Sequence, residues 1–89
     1  MNVAEAPLEV IGRLGLNMRA AVAVVQTART FNAQVMIGRG QNQVSAKSVI
    51  ELIMLGAGQG SRLQLHAEGD DAGAAVTAIQ ALFRNSLAD

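Results

Sequence analysis

Only two aromatic side chains, Phe31 and Phe83, occur in this chain of 89 residues, so whatever core it builds must be aliphatic. Leu, Ile, Val, Ala and Met have to supply the burial, and with hydrophobic residues at 51% and charged ones at 16% they are plentiful enough to exclude intrinsic disorder. A chain of this length makes one domain, residues 1–89, and buries about 60–70% of its unfolded surface. There is no cysteine, which excludes a disulfide framework, thiolate chemistry and Cys-ligated metal. Seven basic residues balance seven acidic ones, which removes the electrostatic motive for binding nucleic acid or an anionic membrane. The longest strictly apolar run, Ala20 to Val25, is far too short to span a bilayer, and no basic leader precedes a hydrophobic run at the start. A cytoplasmic protein is the expectation.

Glycines at 12, 15, 38, 40, 56, 58, 60, 69 and 73 punctuate the chain, mostly where one hydrophobic period gives way to another. Glu5 to Ile11 reads as a strand with Leu8 and Val10 on one face, and Pro7 assigns it to a sheet edge. Ala21, Val24, Val25, Ala28 and Phe31 then follow the inward stripe of an amphipathic helix, with Asn17 in the N-cap position. Val35 to Ile37 suggests a strand, and Gly38-Arg39-Gly40 a turn into a short return strand at Asn42 to Ser45. A second helix runs from Ser48 to about Leu55, opened by Ser48-Val49-Ile50-Glu51 as a reciprocal capping box and ended by Gly56 and Gly58. Arg62 to Glu68 alternates as a half-buried strand. Ala72, Val76, Ile79 and Phe83 form the buried stripe of a last helix, with Asp70 and Asp71 at its positive end. The order β-α-β-β-α-β-α, with one-faced strands, predicts an antiparallel sheet covered on a single side, an α+β open-faced two-layer β-sandwich.

Few residues suit catalysis. None of the four serines lies in a G-x-S-x-G setting. His66 alternates outward on its strand with no carboxylate at matching spacing on its own face, and a lone histidine makes no metal site. Gly56-Ala57-Gly58-Gln59-Gly60 lacks the P-loop lysine and follows a helix instead of preceding one, so it reads as a helix stop and turn. Asp70 and Asp71 read as caps. No metal site and no cofactor are expected. Two places are more informative: Gly15-Leu16-Asn17-Met18-Arg19, where a helix start and a guanidinium would welcome an anion, and Ser48, which opens a helix with apolar side chains to spare. Val49, Ile50, Leu52, Ile53, Met54 and Leu55 cannot all face inward.

Three motifs in order, Gly15-Leu16-x-x-Arg19, Ser45-Ala46-Lys47-Ser48-Val49-Ile50 with Leu55-Gly56, and Ala67-Glu68-Gly69-Asp70-Asp71, resemble the HPr family. These are the histidine-containing phosphocarrier proteins of the bacterial phosphotransferase system, and the likeness covers the chain from about Leu8 onward. The resemblance implies a four-stranded antiparallel sheet in order 1-4-2-3 with three helices on one face. It also exposes a departure. Family members read Gly-Leu-His-x-Arg-Pro, in which the histidine takes a phosphoryl group from phosphoenolpyruvate through Enzyme I and passes it to sugar permeases. Here Asn17 and Ala20 stand at the histidine and proline positions. An amide nitrogen delocalised into its carbonyl is not a nucleophile. By the resemblance, Arg19 is the phosphate-pocket arginine, and Ser48 is the serine modified by HPr kinase/phosphorylase. Met18, Arg19, Val49, Ile50 and Ile53 belong to the partner-docking surface.

The expected function is therefore a non-catalytic, regulatory HPr-like binding protein, similar in logic to the Crh type of homologue, which lacks the histidine and keeps the serine. Its expected partners are phosphotransferase-system or regulatory proteins, with no nucleic acid and no membrane. The alternatives are a working phosphocarrier, or an acceptor-histidine variant of one. Two departures within one motif suit divergence better than a single engineered change. A fold relative that binds a small molecule on its open sheet face would need a convergent polar cluster that the sequence lacks.

Overall fold

Alternation of period two puts Ala6 and Leu8 of β1 (Val3–Glu9), Val35 and Ile37 of β2 (Gln34–Arg39), and Leu63, Leu65 and Ala67 of β4 (Arg62–Glu68) on one buried face. β3 (Asn42–Ser45) completes a four-stranded sheet of order β1-β4-β2-β3, every pair antiparallel. The computed structural model describes residues 2–87. Three helices, α1 (Met18–Ala28), α2 (Val49–Met54) and α3 (Ala72–Ala81), cover the buried face, and a single π turn (Leu82–Ser86) extends α3. The other face stays open. The edge position expected from Pro7 is the one that β1 occupies.

The core is aliphatic throughout. Val24, Val35, Ile37, Leu52, Leu65 and Ile79 are its largest fully sealed side chains, Phe83 joins them from the π turn, and no polar side chain is buried among the described residues. Burial of each such side chain is worth about 1.5–3 kcal/mol, so the fold rests on many small contributions.

Several boundaries differ from the sequence reading for physical reasons. β1 starts two residues earlier and stops at Glu9, because its register against β4 runs from Val3 opposite Glu68 to Glu9 opposite Arg62. Gly38 and Arg39 pair within β2 opposite Gln43 and Asn42, which leaves Gly40 and Gln41 as the turn. Phe31 does not lie on α1. The helix ends at Ala28, the Thr30 hydroxyl donates to the Thr27 carbonyl at 2.8 Å, and Phe31 packs half-buried against the core from the following turn.

That turn is held from across the molecule. The amides of Asn32 and Ala33 both donate to the Asp71 carboxylate at 2.8 Å. Asp71 occupies the N-cap position of α3, yet its side chain makes no capping bond there. The expected cap is instead a clamp between α3 and the α1–β2 connection. The Asn32 amide, with Ala33 assisting, holds its carboxyl below the ordinary value.

Candidate functional site

The approach to α1 is built on the glycine-rich loop. The Leu16 amide donates to the Ala57 carbonyl at 2.9 Å, Gln59 reaches the Ile11 carbonyl at 3.2 Å, and Leu16 is buried. The loop thus does more than stop α2: it forms the bed on which the first helix begins. Asn17 then caps α1 as expected. Its backbone is extended, its carbonyl accepts from the Ala21 amide at 2.8 Å, and its side-chain oxygen accepts from the Ala20 amide at 3.0 Å. Such a cap is worth about 1 kcal/mol.

Met18 and Arg19 follow on the exposed side. Gly15, Asn17, Arg19 and Ala20 border a recess of about 20 Å³, closed on its far side by Ser86 and Leu87. The π turn brings those two residues in, and nothing in the local sequence announces them. The recess has room for about one water molecule, too little for an organic ligand. A group presented by another protein is what such a surface can meet.

At α2 the structure keeps the serine cap and corrects its partner. The Ser48 hydroxyl accepts from the Glu51 amide at 3.3 Å. The Glu51 carboxylate does not return the bond to Ser48 but accepts from the Ser45 amide at 3.0 Å, so the reciprocal box does not close. The Ser48 amide instead donates to the Ser45 carbonyl. Arg39 binds the carbonyls at the other end of α2, Leu55 at 3.2 Å and Gly56 at 2.9 Å, where positive charge complements the helix dipole. Sequence reasoning missed Arg39. The overflow of apolar residues is resolved clearly: Leu52 and Leu55 are buried, Val49 and Ile53 are partly buried against the core, and Ile50 and Met54 are 68% and 78% exposed. With Leu14 and Met18 at the start of α1, they leave large apolar surface around the first two helices.

His66 is nowhere near the start of α1. It lies on the open face of the sheet, and the expectation that it lacks a carboxylate is overturned. Nδ1 is 2.6 Å from Glu5 and Nε2 is 2.9 Å from Glu68. Glu68 shares the face of His66 by the ordinary two-residue period of the strand, and Glu5 arrives through the β1 register. The Glu5 hydrogen bond, followed by that of Glu68, raises the imidazole pKa above its ordinary value. No group of three potential ligands converges on a metal-binding point among the described residues.

Comparison with known proteins accords with this architecture. The family model described as "PTS HPr component phosphorylation site" matches residues 4–85. The phosphocarrier protein HPr of Treponema pallidum is 39% identical over 80 residues, 90% of this chain and 91% of that protein. The crystal structure of HPr-C-His from Thermoanaerobacter tengcongensis superposes with a TM-score of 0.91 at 34% identity, covering 97% of both chains. Crh of Bacillus subtilis, whose structure is described as a swapped-domain dimer, gives a TM-score of 0.72 at 30% identity over 90% of this chain and 91% of that one. With the three motifs, the strand order and these matches together, the chain belongs to the HPr family, the phosphocarrier proteins of the phosphotransferase system.

Proposed function

We propose that this chain serves the phosphotransferase system as a cytoplasmic regulatory binding protein without histidine phosphocarrier activity, controlled through Ser48. One observation carries the reading. At the start of α1 stands a delocalised amide already engaged in capping the helix, and the chain's single histidine lies in the other layer, tied between two glutamates. The start of α1 then offers the Arg19 guanidinium and no nucleophile.

Met18, Arg19, Val49, Ile50 and Ile53 form the docking surface in this reading. Arg13, Arg19, Arg29, Arg39 and Lys47, five of the seven cationic residues, sit on or beside α1 and α2 together with Glu51, whereas Glu5, Glu9 and Glu68 lie on the sheet together with Arg62. A neutral protein with its charges so divided favours a partner that presents acidic groups around an apolar centre. HPr kinase/phosphorylase is the enzyme proposed to act on Ser48, a half-buried residue two positions before exposed Ile50. A phosphate there adds nearly two negative charges beside the apolar surface and changes which partners it accepts.

The test offers HPr kinase and ATP to wild type and Ser48→Ala and locates modification by mass spectrometry. Phosphate on Ser48 in wild type alone is the expected result. An unmodified wild type removes the regulatory control. The names of the relatives favour a second reading, a working phosphocarrier. Incubation with Enzyme I and labelled phosphoenolpyruvate decides between them: acid-labile label on the protein would establish the carrier.

A further inference from the structure

The chain's one histidine is held at both ring nitrogens. On the open face of the sheet, Glu5 of β1 stands directly opposite His66 of β4, and Glu68 follows His66 two residues along the same strand. A carboxylate only accepts hydrogen bonds, and a neutral imidazole has a single donor nitrogen. A neutral ring therefore satisfies one of these contacts and presents a lone pair to the other glutamate. The imidazolium donates to both, at 2.6 Å to Glu5 and 2.9 Å to Glu68. A metal ion does not replace the proton, because the two carboxylates meet different nitrogens and share no central point.

β1 is where this contact has consequences. The strand lies at the sheet edge and pairs only with β4. Its first residues bury little: Val3 and Glu5 are exposed, Ala4 is half-buried, and the first sealed side chain is the small Ala6. Little apolar burial opposes fraying there, so a charge-assisted link across the strands carries unusual weight. We infer that Glu5, His66 and Glu68 form a proton-dependent clasp that holds the N-terminal half of β1 onto β4.

The charges around the clasp are few. On the same face β1 also carries Glu9 and β4 carries Arg62, and these two are paired in register at the far end of the strands. The outward residues of β2 beside β4 are Gln34, Met36 and Gly38, none charged. Glu5 and Glu68 therefore dominate the surroundings of the ring, consistent with its raised pKa. A raised folded-state value means that the clasp contributes fully below the ordinary 6.5 and is lost as pH rises through the folded value.

Amide hydrogen exchange on the full chain between pH 6 and pH 9, with His66 titrated in parallel by NMR, tests the inference. Once the intrinsic base-catalysed rate is divided out, protection of the early β1 amides should fall by up to about tenfold per pH unit while His66 titrates. Any α1 amides that exchange through global unfolding should follow the same dependence, because the clasp contributes to the stability of the whole fold. His66→Gln should abolish the pH dependence in β1, and Glu5→Gln should lower the titration midpoint of His66. Protection of β1 that is flat with pH, or a dependence that survives His66→Gln, would each overturn the clasp.

Discussion

Asn17 and Ala20 depend on each other, and a double-mutant cycle measures how much. The Asn17 side-chain oxygen takes its hydrogen bond from the Ala20 amide at 3.0 Å. Proline at position 20 has no hydrogen to give, while its fixed φ is tolerated in a first helical turn. Ala20→Pro therefore removes the cap and leaves the helix able to form. A capping bond is worth about 0.5–2 kcal/mol, and Asn17 is only half-buried, so water recovers part of the loss and about 1 kcal/mol remains. In an Asn17→Ala background there is no side-chain acceptor to lose. Proline there eliminates an orphan donor and stiffens the unfolded chain, a gain of about 0.4–1 kcal/mol. That unfolded-chain gain is common to both backgrounds and cancels, so the expected coupling is the capping bond itself, about 1 kcal/mol. Urea midpoints of the four proteins at constant m-value report it, and each kcal/mol should also move Tm by about 4–8 °C in a domain of this size. Ala20 is buried, and a proline too bulky for its surroundings would cost the same in both backgrounds and cancel. Additivity within about 0.5 kcal/mol would refute the reasoning.

Three further changes probe the frame around the site. Phe83→Ala empties a buried aromatic position and should cost about 3–5 kcal/mol by chemical denaturation, a large part of a typical total of about 5–15; a Tm within a few degrees of wild type would mean that the π turn does not seal the core. Gly15 and Gly56 have nearly the same backbone, φ 66° and 69°, but a Cβ at Gly15 would lie 2.7 Å from the Ala57 carbonyl oxygen, whereas at Gly56 it would come no nearer than 3.6 Å, to the Arg39 side chain. Gly56→Ala should cost about 1 kcal/mol and Gly15→Ala about 2–4 kcal/mol, since the latter also disturbs the Leu16–Ala57 bond; equal midpoints would deny the close approach. Asp71→Ala should lower Tm at neutral pH. Because the folded carboxyl titrates below its ordinary 3.8, the clamp is present above that value and is lost as pH falls through the folded one. The two melting curves should converge in acid, and a constant gap would assign the effect to something other than the carboxylate.

Periodicity carried the fold because this core is purely apolar: where no polar side chain is buried, the face of each strand and helix can be read from spacing alone. Arg62–Glu68 emerges with the bounds its alternation predicts, and the buried stripe of α1 follows Ala21, Val24, Val25 and Ala28 until the helix ends. The partners of polar side chains resisted the same reading, because they depend on register and on which backbone amide is left free. Glu51 has two candidate amides within reach of one turn, and it takes Ser45 in preference to Ser48. Asp71 finds a pair of amides nearly forty positions earlier in the chain. Glu68 was legible, since the period that exposes His66 exposes it as well, but Glu5 needed the pairing of β1 with β4. Ser86 and Leu87 reach the recess only through the π turn, for which the sequence offers no signal.

The same contrast bears on how the site came to differ from the HPr motif. Had asparagine alone replaced the histidine, a proline at position 20 would have left no amide hydrogen for it to cap. With Ala20 that hydrogen exists, and Asn17 accepts it. The two departures therefore act as one physical unit. Together they make a well-formed helix start. Arg19 and the exposed side chains of α2 gain nothing from that exchange and are nonetheless present. Ile50 and Met54 stand in water, where they contribute nothing to the core. Their exposure beside the start of α1 is what the proposed regulatory reading requires of a docking surface, which is why the kinase and Enzyme I experiments belong together.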